Sequence, residues 1–256
     1  MARQVEERMT LDHLGVIRDE ARRIADAYAA APEGRVPWSD RWNVGTVARH
    51  VAGTHHVVAA IVAGRPSADF GLFASLDSPG KNDPSFPEWF AKGTAAMCEQ
   101  LRVAPAADAC WNWYEGAQGH VSFWGRRMAH ECVIHRWDAQ MGASGAADPI
   151  DPDVASDGID EFLDVFVATG RAQSGAPVGP TVRVETRDTD DRWTIELPSG
   201  GRVVSHDELP ADARLRGSAA DVLLLLWGRL TEIPESITVE GIISDRATLA
   251  QLLPAL

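Results

Sequence analysis

Cysteine is scarce in this chain. Only Cys98, Cys110 and Cys132 are present, with no CxxC pair and an odd count. A disulfide framework is excluded, and reduced thiols in a cytoplasmic protein are expected. Basic residues are also short, with 24 Lys and Arg against 37 Asp and Glu and a formal charge of −13. No basic run offsets this locally, which excludes a nucleic-acid or anionic-membrane surface and leaves small molecules as the expected partners. Long apolar runs are missing too. The longest, Val222 to Trp227, is far too short to span a bilayer, and the opening MARQVEERMT lacks the apolar centre of a signal peptide.

What is present divides into two textures. From about Thr10 to Ala31, Leu14, Ile17, Ala21, Ile24 and Tyr28 recur at spacings of three and four, which predicts an amphipathic helix ended by Pro32, Gly34 and Pro37. Asn43 is a good N-cap for a second helix reaching about Ala63. An irregular stretch from Arg65 to about Pro84 leads to a third helix with Phe86, Trp89, Phe90, Met97 and Leu101, and a fourth contains Arg126 to Asp138. Four helices with one long connection predict a bundle over residues 1–147. Bundles commonly build metal sites from inward-facing side chains of neighbouring helices.

The segment GASGAADPIDPD reads as a linker into a second domain over residues 148–256. There a helix from about Val154 to Ala168 precedes a hairpin, in which Val182 and Val184, then Trp193, Ile195 and Leu197, alternate with polar residues around the turn Asp188 to Asp191. Gly200 and Gly201 lead to a strand near Val203, and Ser218 to Asp221 make a weak capping box for an apolar helix ending at Arg229 or Leu230. A strand around Ile237 to Val239 and a helix from about Ser244 to Leu253 complete a small α+β domain.

The anomaly lies in RRMAHECVIHRWD, Arg126 to Asp138. It is not the zinc-protease HExxH signature, because His130 and His135 are five residues apart, about 140° around a helix. Glu131 and His135, at i and i+4, do share a face, continued by Met128 and Trp124. Val133, Ile134 and Trp137 cover the other sides, so the helix is expected to be buried nearly all round, and a charge there needs a partner or a metal. On the second helix His50 falls in the apolar stripe of Val47, Val51, Thr54 and Ile61, while His55 and His56 point well away from it.

His50, Glu131 and His135 together offer two imidazoles and one carboxylate with a fourth position open, the arrangement of catalytic zinc and also of non-haem iron. The competing reading is a hydrogen-bonded core histidine beside a structural Glu–His pair. Asp138 is placed either behind the site as a partner of a ligand or against Arg136 or solvent. His120 and His130 are expected at the surface or at caps, Cys132 as a buried inert thiol, and Trp124 and Trp137 as the tryptophans nearest a pocket.

WNVGTVARHVAGTHHVVAAIVAG followed by RRMAHECVIHRWD resembles the mycothiol-dependent maleylpyruvate isomerase family of actinobacteria, and LRGSAADVLLLLWGRL with ITVEGI resembles that family's C-terminal domain. The resemblance implies a DinB-like four-helix bundle followed by a sterol-carrier-protein-like α+β domain. It implies zinc held by His50, Glu131 and His135, and mycothiol as a thiol cosubstrate whose metal-bound thiolate attacks an electrophilic small molecule, by cis–trans isomerisation or by S-transfer. Arg229, in the matching WGR, is implied to bind a substrate carboxylate, against the plainer reading of a helix-end arginine meeting the helix dipole and solvent. Two other classes remain open at this point: a non-catalytic binder of small molecules or lipids, and an iron oxygenase with the same three ligands.

Overall fold

A computed structural model describes residues 11–64, 71, 76–114, 119–168, 179–198 and 202–253. Its contacts divide the chain into two units, Met1–Asp148 and Pro149–Leu256. The opening decapeptide, residues 65–70 and 72–75 of the irregular stretch after the second helix, and Gly200 and Gly201 lie outside the described residues. Among the described residues no helix is long and apolar enough to cross a membrane.

The first unit is a four-helix bundle of α1 (His13–Ala30), α2 (Val44–Gly64), α3 (Phe86–Val103) and α4 (Val121–Ser144). Asp12 caps α1 by accepting from Gly15 N at 2.9 Å, and Asn43 caps α2 by accepting from Thr46 N at 2.9 Å. Helix α1 lies mainly against α4, and α2 against α3 and α4. Ile17, Ile24, Val47, Val51, Ile61, Phe86, Met97, Trp124 and Met128 are all at most 2% exposed and form one core. Burying side chains of this size contributes about 1.5–3 kcal/mol each and dominates the stability of the unit.

Helix α4 runs on through Gly142 to Ser144, so the linker is shorter than its composition implied. Gly145, at φ 76°, ends the helix in the left-handed conformation, its N–H bonded to Met141 O at 2.9 Å.

The loop between α1 and α2 is tightly closed. Val44 N donates to Gly34 O at 2.9 Å, Gly45 N to Pro32 O at 2.7 Å and Val36 N to Trp42 O at 3.4 Å, and Arg35 pairs with Asn43 as an isolated bridge. Gly34 sits so close to α4 that a Cβ there would lie 2.1 Å from Gly142 O.

In the second unit, α5 (Pro152–Glu161) is capped by Asp151 and runs into a π-helical turn, Phe162–Val167. The sheet has the order β3-β2-β1-β4-β5, with β1 (Thr181–Thr186), β2 (Arg192–Glu196), β3 (Val203–Ser205), β4 (Ala213–Gly217) and β5 (Thr238–Gly241). The expected hairpin is β1 and β2, paired antiparallel with Val184 opposite Trp193. Strand β4 has no counterpart in the sequence reading. It joins β1 in parallel, burying Ala213, Leu215 and Gly217 and exposing Arg214 and Arg216.

Helix α6 (Ala219–Leu226) opens with Ser218 accepting from Asp221 N at 3.1 Å, and α7 (Arg246–Leu252) is capped by Asp245. Contrary to expectation, α6 stops before Arg229. Gly228, at φ 72°, donates to Leu225 O and Arg229 N donates to Leu224 O at 2.8 Å, the paired bonds of a Schellman ending.

Because the obstacle at Gly34 is backbone, which a side-chain rotation cannot relieve, Gly34→Ala should destabilise the first unit by about 1–3 kcal/mol. Urea unfolding measures this, and an unchanged midpoint would show that the loop moves off α4 freely.

Candidate metal centre

Helices α2 and α4 bring His50, Glu131 and His135 together. Glu131 Oε1 lies 2.8 Å from His50 Nε2 and 3.2 Å from His135 Nε2, and one ligand atom from each residue lies within 4.8 Å of the others. The spacing of 131 and 135 places both on one face of α4, and the contact between helices supplies His50. His50 faces the cluster yet stays 40% exposed at its side chain, whereas His135 is 9% exposed. The cluster therefore opens to solvent on the α2 side.

The other atoms of these residues are held from behind. Glu131 Oε2 accepts from Arg127 Nη2 at 3.2 Å, and this guanidinium, one turn earlier on α4, is buried. His135 Nδ1 donates to Asp138 Oδ2 at 2.9 Å, and Asp138 Oδ1 accepts from Trp38 Nε1 at 2.6 Å. Asp138 thus stands behind His135, while Arg136 turns to Glu20 Oε2 at 2.5 Å and ties α4 to α1. Trp42 stacks on His135 at a centroid distance of 5.9 Å and 10° between planes, and meets His50 edge-on at 5.3 Å.

Burial opposes the charge on Glu131, yet the neighbouring imidazoles of His135 and His50 hold its carboxyl well below the usual carboxylate range. Burial likewise opposes a charged His135, but the carboxylates of Glu131 and Asp138 outweigh it and push the imidazole up to about 9. With Nδ1 committed to Asp138, the neutral tautomer directs the Nε2 lone pair to the cluster, as a ligand requires. Two imidazole nitrogens and one carboxylate oxygen, with an accessible side, fit a divalent ion such as zinc by the chemistry of their donors.

Among the other histidines, His55 and His130 differ from their sequence assignments, whereas His120 does not. His55, expected to point away from the interior, is fully buried. Thr94 Oγ1 spends its hydrogen on Phe90 O at 3.1 Å, so it accepts from His55 Nδ1 at 2.9 Å, and His55 Nε2 then accepts from the Cys132 thiol at 3.3 Å. Burial lowers the His55 pKa to about 3, so the ring stays neutral. His56 bonds Trp89 O at 2.9 Å and stacks on the same indole. His130, expected at the surface, is fully buried, with its ring edge-on to His13 at 6.2 Å. His120 is an exposed residue at the N-cap of α4.

The tryptophans at the cluster are Trp38 and Trp42. Trp124 instead donates to Trp111 O at 2.8 Å within a cluster that includes Trp113 and Phe123. Arg127 was not singled out from the sequence, although its i,i+4 spacing from Glu131 is the signal that points to it. Trp38 and Trp42 have no such signal, because loop closure rather than helical spacing carries them there.

No cysteine of the chain is placed as a nucleophile. All three are buried, and burial raises the thiols of Cys98 and Cys132 above their usual range. Arg229 lies just beyond α6, its Nη1 donating to Trp227 O at 2.8 Å.

Comparison with known proteins adds an independent line. Residues 14–140 match the family model described as the mycothiol maleylpyruvate isomerase N-terminal domain, and residues 153–242 match the MDMPI C-terminal domain. A crystal structure of a histidine-to-alanine mutant of mycothiol-dependent maleylpyruvate isomerase is similar in fold, with a TM-score of 0.61 at 12% identity, covering 89% of this chain and 91% of that one. The ubiquinone synthesis protein UbiJ-SCP2 aligns over 41% of this chain and 94% of its own at 20% identity, with a TM-score of 0.30 that carries no argument. No curated protein matches the chain.

The hydrogen-bonded positions around His55 yield a prediction separate from the cluster. His55→Ala removes a buried ring and leaves Thr94 and Cys132 without it, which should cost about 2–4 kcal/mol of unfolding free energy. Divalent-metal content measured on the folded variant should not change. A fall in metal content together with intact stability would reverse the assignment of His55 as structural.

Proposed function

We propose a function from the premise that the chain belongs to the mycothiol-dependent maleylpyruvate isomerase family: a thiol-dependent metalloenzyme acting on an electrophilic small molecule. The observation that carries the reading is the convergence of His50 Nε2, Glu131 Oε1 and His135 Nε2, with His135 Nδ1 already bonded to Asp138. These three residues would hold a divalent ion, zinc by preference. Such an ion supplies the acidity that keeps a bound thiol as thiolate at neutral pH.

The chain's own residues do the rest of the positioning. Arg127 holds the second oxygen of Glu131, which favours a single oxygen facing the ion. Asp138 fixes the His135 tautomer, and Trp42 forms an apolar wall beside both imidazoles. The buried thiols of the chain, raised at Cys98 and Cys132, favour a nucleophile supplied from outside, and family membership makes mycothiol the candidate. In an isomerisation, the sulfur adds to a carbon–carbon double bond conjugated to a carbonyl, whose oxygen receives the displaced electron pair. Rotation about the new single bond and expulsion of the sulfur restore the double bond with changed geometry. In a transfer, the sulfur stays attached and a leaving group departs.

The test is metal analysis followed by thiol-dependent turnover of maleylpyruvate and related electrophiles. The purified protein should carry about one divalent ion per chain, and His50→Ala or His135→Ala should lose most of it. Full metal content in both variants would overturn the site. An iron oxygenase using the same donors would need ferrous iron and oxygen, so turnover by the zinc form under anaerobic conditions excludes it.

Arg229 is proposed to bind the carboxylate of an anionic substrate, on the strength of its WGR motif. Arg229→Ala should leave metal content unchanged and cost about 2–3 kcal/mol in kcat/KM, with only partial recovery in Arg229→Lys. Unchanged kinetics would return it to a helix-end role.

A further inference from the structure

We propose that Trp38, which supplies no ligand, is a positioning residue of the metal centre and acts on His135 through Asp138. The proposal rests on the reading of His50, Glu131 and His135 as metal ligands. Asp138 is fully buried on α4 and engaged at both oxygens, by Trp38 Nε1 at 2.6 Å and by His135 Nδ1 at 2.9 Å. A carboxylate held by one oxygen still turns about its terminal torsion, which is broad for aspartate. Pinned at Oδ1 as well, it presents Oδ2 in one direction. That direction sets the rotation of the imidazole, and hence where Nε2 points, 3.2 Å from Glu131 Oε1.

The donor is itself held by backbone. Trp38 belongs to the α1–α2 loop, closed by the Arg35–Asn43 bridge and by the bonds of Gly34, Val36 and Gly45. That loop seats on α4 where Gly34 meets Gly142, one helical turn beyond Asp138. Trp42, from the same loop, lies flat against the His135 ring and limits its tilt. The loop therefore controls both the rotation and the tilt of a ligand that belongs to another element.

The test uses the full chain and zinc itself. Trp38→Phe keeps an aromatic ring and deletes the N–H donor. Zinc affinity, measured by competition with a chromogenic chelator, should fall about tenfold, within the 10- to 100-fold range for groups supporting a metal ligand. The visible spectrum of the cobalt(II)-loaded protein should change as well, since it reports ligand geometry. Asp138→Asn should weaken zinc binding at least as much, and the double variant should be little worse than Asp138→Asn alone, because both changes act through one contact.

If wild-type protein binds no zinc, the metal reading itself fails. If wild type binds zinc and Trp38→Phe retains its affinity and cobalt spectrum, the positioning role is overturned. It is equally overturned if the two losses multiply in the double variant, as independent structural damage would. Nitrogen-15 spectra of the wild-type protein guard against a variant that does not fold. They should show a downfield, exchange-protected Trp38 indole N–H that shifts on zinc addition, and an indole signal indifferent to zinc would also sink the proposal.

Discussion

A carboxylate set into a buried helix must be matched by positive charge, and the architecture around α4 answers that constraint at Glu131. One oxygen faces Arg127 and the other faces His50 and His135. Breaking such a set leaves an uncompensated buried charge, which costs several kcal/mol, so each member holds the others in place. Arg127, Glu131, His135 and Asp138 follow one another at steps of four, four and three along the same helix. They form a stripe on which a cation or imidazole alternates with a carboxylate. This explains how a helix so rich in charge lies in the interior of the bundle.

The same helix separates two kinds of histidine. His55 has both nitrogens engaged by Thr94 and Cys132, and burial keeps it neutral, so it has no lone pair to offer an ion. His135 has one nitrogen bound to a carboxylate and the other turned to a second carboxylate and a second imidazole. Burial is shared by both residues and does not distinguish them. The chemistry of the partners does, and it marks His135 as a donor with a fixed tautomer and His55 as a polar tie between α2, α3 and α4.

Helical periodicity was enough to identify the four bundle helices, because Ile17, Ile24, Val47, Val51 and Met97 repeat at spacings that need no tertiary information. It also placed Glu131 and His135 on one face, since an i,i+4 pair is a property of a single helix. Asn43 and Ser218 act through backbone groups within a few residues of themselves, so these caps were legible locally, whereas the left-handed Gly228 ends α6 before the Arg229 or Leu230 that the sequence had implied.

Tertiary structure decided the rest. Strand β4 has five residues, two of them exposed arginines, and it exists because β1 and β5 offer it pairing on both sides. His55 and His130 are buried because helices pack against faces that an angular count on one helix assigned to the outside. Trp38 and Trp42 reach His135 and Asp138 only because Gly34 lets the loop meet the backbone of Gly142. Sequence alone thus determined which residues share a helical face. The meeting of α2 with α4, and the loop that orients His135, follow from close packing between elements remote in the chain, whose contacts no local periodicity encodes.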